Sequence, residues 1–235
     1  MNPKFSIIIP AYNESYRIVK SINKIRKYFK NKGIKYEIVV VNDGSKDNTL
    51  RILNDLSKKY KQLRVLGGNI NRGKGYAVKT GVLNSSGEYI LFTDADLSTP
   101  IEELDNLFKY IKNGYDIVIG SRIIDPSKIK IKQPLYRRLP GNVFPILVNF
   151  IISRDIGDTQ CGFKLFKSDV AKDIFKKQKI SGFCFDVETL YLAKKGGYKV
   201  KEVAVTWTNF RDSKVNPLID SIKMFIDLMK IRFMY

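Results

Sequence analysis

The sequence predicts an α/β fold in which a mostly parallel sheet carries helices on both faces. Short β-branched and aromatic runs alternate with helical periodicity from Phe5 to Gly120, the pattern of successive βα units. The runs themselves are continuously apolar, as strands covered on both faces must be. Acidic or glycine-rich turns follow several of them, where ligands bind in open α/β sheets.

Phe5-Ser-Ile-Ile-Ile9, closed by Pro10, reads as the first strand. Ile18, Ile22, Ile25 and Phe29 then recur at helical spacing within a helix from Glu14 to Phe29, which Gly33 ends. Tyr36 to Val41 is a second strand, followed by a helix from Asp47 to Tyr60 and a short strand at Arg64 to Leu66. A glycine-opened helix runs from Gly73 to Leu83, and Tyr89 to Thr93 is again a buried strand. Thr99 then reads as a helix cap with Pro100 at the first helical position and Glu102 behind it, for a helix to Ile111. Asp116 to Gly120 is a fifth strand.

Beyond Arg122 the character changes. Lys128, Lys130, Lys132, Arg137 and Arg138 crowd a stretch interrupted by Pro126 and Pro134, and an apolar run follows to Ile152. Strands are expected near Phe163 to Phe166 and Val200 to Trp207, with a helix at Asp186 to Lys195. The reading is a single domain over 1–235: a ligand-binding half at 1–122, an insertion at 123–156, and a second half at 157–235 ending in an amphipathic helix. On that helix Asp220, Lys223, Asp227 and Lys230 form a polar stripe. Leu218, Ile219, Ile222, Phe225, Ile226 and Met229 form a broad apolar face, read as core or a contact with a second copy rather than as a membrane surface.

With 235 residues, 44% hydrophobic, the chain can bury a substantial core. Its net charge of +19 implies an anionic partner: nucleic acid, an anionic membrane surface or a phosphorylated small molecule. Nucleic acid is set aside, because no helix-turn-helix, zinc or RNA-binding signature is present. Histidine is absent, which excludes Ser-His-Asp chemistry, a histidine base and histidine metal ligands. Two cysteines, Cys161 and Cys184, without a short pairing motif point to a reducing compartment. No signal peptide is seen, and no apolar run reaches the roughly 20 residues that span a bilayer. The expectation is a cytoplasmic chain lying peripherally on the cytosolic face of a membrane.

The chemistry concentrates at strand ends. Pro10, Tyr12 and Glu14 follow the first strand, Asp43 the second, and Asp94 and Asp96 the fourth. In a parallel sheet these meet on one edge. A turn aspartate bonding its own backbone explains one carboxylate easily. Two of them one residue apart suit a shared cation, and their hard oxygens suit Mg²⁺ or Mn²⁺ held together with substrate phosphates. Asp43 suits a ribose hydroxyl or a base amide. Gly68 to Gly75 nearly matches a phosphate-binding loop, but Gly75 replaces the hydroxyl residue that would hold magnesium. The helix start beside Arg72 and Lys74 could still meet an anion, and Arg122 places a further cation at a strand end.

Pro10-Ala-Tyr-Asn-Glu14, Val41-Asn-Asp-Gly-Ser45, Asn71-Arg-Gly-Lys-Gly75, Asp94-Ala-Asp-Leu-Ser98 and Gly120-Ser-Arg122 stand in the order found in glycosyltransferase family 2. Asp158-Thr-Gln-Cys-Gly-Phe-Lys-Leu-Phe166, Phe185-Asp-Val-Glu188 and Ser213-Lys214-Val215 resemble its dolichyl-phosphate glucose synthase branch, with the mannose synthases as cousins. The resemblance covers nearly the whole chain.

It implies the nucleotide-diphosphosugar transferase (GT-A type) fold, Rossmann-like, and an inverting transfer of a hexose from UDP-glucose onto dolichyl or polyprenyl phosphate. GDP-mannose, UDP-N-acetylglucosamine and hydroxyl acceptors are the alternatives. By position, Pro10, Tyr12, Glu14 and Asp43 would hold the nucleotide, with Lys74, Asp94 and Gln160 also on the donor side. Asp94 and Asp96 would bind the metal, and Asp96, Arg122, Asp186 and Lys214 form the catalytic set. Asp186 and Glu188 are given a sugar-binding or orienting role, because a lipid phosphate, with a second pKa of about 6, needs no strong base. The basic insertion, with Phe144 to Ile152, would meet the acceptor and the membrane.

Overall fold

A computed structural model of the chain describes residues 3–131, 156–209 and 219–235. Alternation along the strands divides the core in two. In β1 (Phe5–Ala11), Phe5, Ile7 and Ile9 join one hydrophobic cluster and Ile8 joins the other. In β2 (Tyr36–Asp43), Ile38 and Val40 oppose Val39 and Val41 in the same way. Both faces are apolar because both are covered.

The first face is covered by α1 (Ile18–Lys32), α2 (Thr49–Lys59) and α4 (Leu104–Lys112), through residues such as Ile22, Phe29, Leu53 and Leu107. The second carries α3 (Lys74–Leu83), α5 (Ser168–Lys177) and α6 (Phe185–Lys195), through Val78, Val82, Ile174 and Leu190. Gly33, at φ +62°, closes α1 as the sequence predicts. The expected Thr99 cap does not form. Pro100 stands outside the helix with φ −59° and ψ 145°, a 3₁₀ turn at Ile101–Glu103 precedes α4, and that turn has no side-chain cap. Proline here bends the entering chain instead of starting the α-helix.

The sheet runs in the order β3-β2-β1-β4-β7-β5-β8, with β3 at Leu63–Gly68, β4 at Tyr89–Thr93, β5 at Ile117–Ser121, β7 at Phe163–Lys167 and β8 at Val200–Ala204. β1 pairs in parallel with β2 and β4, in the register Ile8 to Val39 and Ile8 to Phe92. The fifth strand does not lie beside the fourth. β7 runs antiparallel between them, opposite Leu91 on one side and Val118 on the other through Leu165. A strand from after the insertion thus completes the sheet, and β4 and β5 still point the same way. Neither α5 nor the short β6 (Ile129–Ile131), which pairs with β9 (Trp207–Thr208), was expected from the sequence.

The last helix, α7 (Ile219–Met234), narrows one reading by taking part of its apolar face out of the core. Its buried stripe is Met224, Leu228 and Ile231, packed on Ile180, Cys184 and Val187. Phe225, Ile226 and Met229, predicted to face a core or a second copy, are solvent-exposed, as is Phe233. The helix is rotated because the small hydrophobic seat offered by α6 takes only the narrow i, i+4, i+7 row. Among the described residues no helix is long and apolar enough to cross a membrane.

Candidate active site

The C-terminal ends of β1, β2, β4 and β5 and the start of β7 form one edge, since Thr93 pairs with Phe163 and Ser121 lies beside Ala204. Pro10, Tyr12, Glu14, Asp43, Asp94, Asp96, Arg122 and Gln160 are all carried to that edge by these strand ends and the turns that adjoin them. Lys214 and most of the basic insertion, including Lys132, Arg137, Arg138 and Phe144 to Ile152, lie outside the described residues. Lys128 is described, and its ammonium donates to the Ala204 carbonyl at 3.3 Å.

Two non-glycine residues have left-handed backbones among the described residues, Asn13 at φ 53° and Leu97 at φ 50°. Each sits in a turn that presents site carboxylates, Glu14 in one case and Asp94 and Asp96 in the other. Such conformations cost about 1–3 kcal/mol and collect at functional turns.

The edge is a ladder of alternating charge. Lys74 Nζ lies 2.7 Å from Asp94 Oδ1. Arg122 makes a bidentate pair with Asp158, at 2.7 Å for both contacts, and its backbone N–H also donates to Asp158. Its guanidinium stands over the Trp207 ring. Beneath them Lys164, from the centre of β7, is ion-paired with Asp186 at the start of α6, and both are almost fully buried. Glu14 pairs with Arg17, whose other end approaches Asp96 Oδ2 at 3.7 Å.

These pairs set the ionisation of the site. Burial alone would push the Asp158 carboxyl up, but the Arg122 guanidinium holds it below the usual range, and Arg122 is raised in turn. Lys74 is held protonated against its burial chiefly by Asp94. Asp186 stays above the ordinary carboxylate value because its burial outweighs Lys164 and Lys74. Asp96 is likewise raised, by burial first and then by the charge of Asp94. Burial pushes the Cys161 thiol up to about 12, so the cysteine beside Arg122 is an inert packing group.

Asp43 is engaged on both oxygens. Oδ1 accepts the Arg72 N–H at 2.8 Å and Oδ2 the Gly73 N–H at 2.9 Å. Beyond Lys74, the N–H groups of Gly75 and Tyr76 donate to the Ser181 carbonyl at 2.8 and 3.3 Å. Most N–H groups at the start of α3 are therefore taken by protein acceptors, which leaves the side chains of Arg72 and Lys74 as its main cationic groups. A side chain at Gly75 would put its Cβ 2.5 Å from the Ile180 carbonyl oxygen. That contact is why glycine stands where a phosphate loop has serine or threonine. A cavity of about 310 Å³ opens beside this loop, lined by Arg72, Gly73, Phe183, Lys223 and Asp227 among others.

Among the described residues no three acidic or cysteine side chains converge tightly enough to hold a metal alone. Asp94 and Asp96 nonetheless fit a divalent cation. Both remain partly exposed, and the Arg17 guanidinium 3.7 Å from Asp96 does not offset the burial and the Asp94 charge that raise the Asp96 carboxyl. Two carboxylates with the remaining positions left to substrate oxygens is the usual magnesium arrangement. Sequence reasoning missed Lys164, Gly162 and Arg17. A lysine inside the apolar run from Phe163 to Phe166 was the signal available for the first. A Cβ on Gly162 would lie 1.9 Å from Asp94 Oδ2, so this glycine makes room for the carboxylate.

A seven-stranded sheet with one antiparallel strand, and carboxylates gathered where its parallel strands end, is the architecture of the GT-A fold. The chain superimposes on glucosyl-3-phosphoglycerate synthase from Mycobacterium tuberculosis in complex with UDP, with a TM-score of 0.72 at 16% identity, covering 98% of this chain and 80% of the other. It also matches a mannosyltransferase from Pyrobaculum calidifontis in complex with GDP-Man and Mn²⁺, with a TM-score of 0.58 at 20% identity, covering 91% and 59%. Residues 6–175 match the glycosyl transferase family 2 model, and the chain belongs to that family. It is 40% identical over 247 residues to a dolichyl-phosphate beta-glucosyltransferase of Dictyostelium discoideum, spanning 100% of this chain and 75% of the relative.

Proposed function

We propose that this chain transfers glucose from UDP-glucose to the phosphate of dolichyl or another polyprenyl phosphate, with inversion. Relatives matched over nearly the whole of this chain are named dolichyl-phosphate beta-glucosyltransferase, which supports the glucose and lipid-phosphate part of this reading. The observation that favours a phosphate acceptor over a hydroxyl is the state of the carboxylates. Asp186 is committed to Lys164, Asp158 to Arg122 and Asp43 to backbone N–H groups. In the Asp94-Ala-Asp96 turn, Asp94 already holds Lys74 and the pair is assigned to a cation, so a general base is in short supply and an acceptor that brings its own negative charge is favoured.

In this reading Tyr12, Glu14, Asp43 and Pro10 border the nucleotide, and Gln160 lies on the donor side. Asp94 and Asp96 hold Mg²⁺ or Mn²⁺, which when bound neutralises charge on the diphosphate. A lipid-phosphate oxygen attacks the anomeric carbon on the face opposite the nucleotide. The bond from that carbon to the UDP oxygen breaks, and UDP leaves with the electron pair. Lys74, held at the site by Asp94, meets the charge that grows on the diphosphate, and Lys214 is a second cation for it. Arg122, aimed by Asp158, grips the acceptor phosphate. Asp186 orients Lys164 and Lys74 instead of taking a proton. The enzyme works against an anionic lipid surface, to which α7 offers exposed Phe225, Ile226, Met229 and Phe233 beside Lys223, Lys230 and Arg232.

The test supplies membrane lipids with radiolabelled UDP-glucose, GDP-mannose or UDP-N-acetylglucosamine in turn. Label reaching the lipid fraction from UDP-glucose supports the reading. Label transferred only from another donor, or only to a hydroxyl acceptor, overturns it.

A further inference from the structure

The start of α3 is built against a piece of backbone from the other half of the chain. Cβ atoms on Gly73 and Gly75 would fall 2.4 Å from the Ser181 carbonyl oxygen and 2.5 Å from that of Ile180. Gly73 also has φ +104°, a backbone that other residues rarely adopt. The two glycines thus let residues 180–182 run directly across the helix end that carries Lys74.

That crossing segment is itself held by one buried carboxylate. Glu188 has no exposed surface. Its Oε1 accepts the Lys179 N–H and its Oε2 the Ile180 N–H, both at 2.8 Å. The Tyr235 hydroxyl donates to Oε1 at 2.7 Å. Gln178 completes the clamp, its amide lying 2.6 Å from the Ile180 carbonyl and 3.2 Å from that of Gly75. A buried carboxylate must have its oxygens hydrogen-bonded, and here each takes a backbone donor of the crossing segment.

We infer that Glu188 is a positioning residue for Lys74: by pinning residues 179–181 it fixes the first turn of α3, and so the ammonium that meets Asp94 and the leaving diphosphate. This rests on the role given to Lys74 under the proposed function. Being fully buried, Glu188 touches neither substrate. Its effect is transmitted through the Ser181 carbonyl, which accepts from the N–H groups of Gly75 and Tyr76, the two residues that follow Lys74. The near-match to a phosphate loop is, on this account, a docking seat by which the acceptor-side half sets the donor-side cation.

The test is Glu188→Gln, which keeps the volume but turns an amide NH₂ toward a backbone N–H. Because the charge Lys74 meets is largest once UDP has left the sugar, kcat should fall about tenfold or more while the KM for UDP-glucose stays within about twofold. UDP affinity with Mn²⁺, measured calorimetrically without turnover, should fall in parallel with kcat. In the double variant with Lys74→Met, the Glu188→Gln change should cost nothing further. Should Glu188→Gln not fold, Gly75→Ala displaces the same segment from the helix side and should give the same signature. A lower melting temperature with kcat per folded molecule and UDP affinity unchanged would mark a purely structural glutamate and overturn the inference. So would a full additional loss on the Lys74→Met background. Absence of lipid-linked glucose from the unaltered protein would instead sink the proposed function, a separate outcome.

Discussion

Asp96 carries a charge that the folded protein does not balance on its own. Burial and neighbouring Asp94 raise its carboxyl, so the folded state holds the proton more tightly than the unfolded chain does. Ionised Asp96 therefore costs stability at neutral pH, and that cost is relieved as pH falls through the raised value. Asp96→Asn should raise the melting temperature of the metal-free protein, because it removes a charge that the folded state disfavours. It should abolish both transfer and the stabilisation that Mn²⁺ gives the unaltered protein. Gly162→Ala should do the opposite kind of damage, because its Cβ meets Asp94 Oδ2 at 1.9 Å. Transfer should fall about 100-fold, the usual consequence of shifting a reacting group by an ångström, and circular dichroism should be unchanged. The DxD pair was legible as a strand-end turn with two like charges. Gly162 and Lys164 were not, because their roles depend on β7 lying against β4, a pairing between residues far apart in sequence.

At the scale of elements, Glu37 shows how polar groups staple the sheet away from the site. It accepts from the Ser6 hydroxyl at 2.6 Å, from the Ser86 backbone N–H at 2.6 Å and hydroxyl at 2.9 Å, and from Arg64 at 3.0 Å. Burial would raise its carboxyl, but these bonds hold it below its ordinary 4.5. Its contribution is complete above about pH 4.5 and is lost as pH falls through the lowered value. Glu37→Gln should cost about 2 kcal/mol at neutral pH, or roughly 5 °C in melting temperature. The gap to the unaltered protein should narrow between about pH 5 and pH 3, and transfer should be untouched. The elements up to β5 were legible because each repeats one pattern, an apolar run and then a helical stripe. The order of the strands was not. Local periodicity carries no information on which strand a later one will enter beside, so the antiparallel β7 between β4 and β5 could not be read. Which part of the α7 apolar face enters the core was not legible for a related reason. Its apolar residues exceed the row its neighbours can cover, and only packing decides that Met224, Leu228 and Ile231 are taken.

At the scale of the whole molecule, the proposed function has the +19 charge and the uncovered side of α7 act on one lipid surface at different ranges. Charge attracts a lipid surface over about 8–10 Å at physiological salt and is screened beyond that. Apolar contact operates only after arrival and is indifferent to salt. Binding to vesicles containing anionic lipid should therefore weaken steeply as sodium chloride rises, yet level off above zero at high salt. The remainder belongs to side chains such as Phe225 and Phe233, 48% and 80% exposed. Phe233→Ser should lower that salt-resistant remainder about tenfold or more, since burying a phenylalanine is worth about 1.5–3 kcal/mol, and should leave the salt-sensitive part unchanged. Transfer to a short water-soluble prenyl phosphate should stay normal in the same variant, because the catalytic edge lies on the sheet and not on α7. If Phe233→Ser left vesicle binding intact and split a dimer instead, the uncovered face would belong to a second copy of the chain. The attraction to lipid would then reside in charge alone.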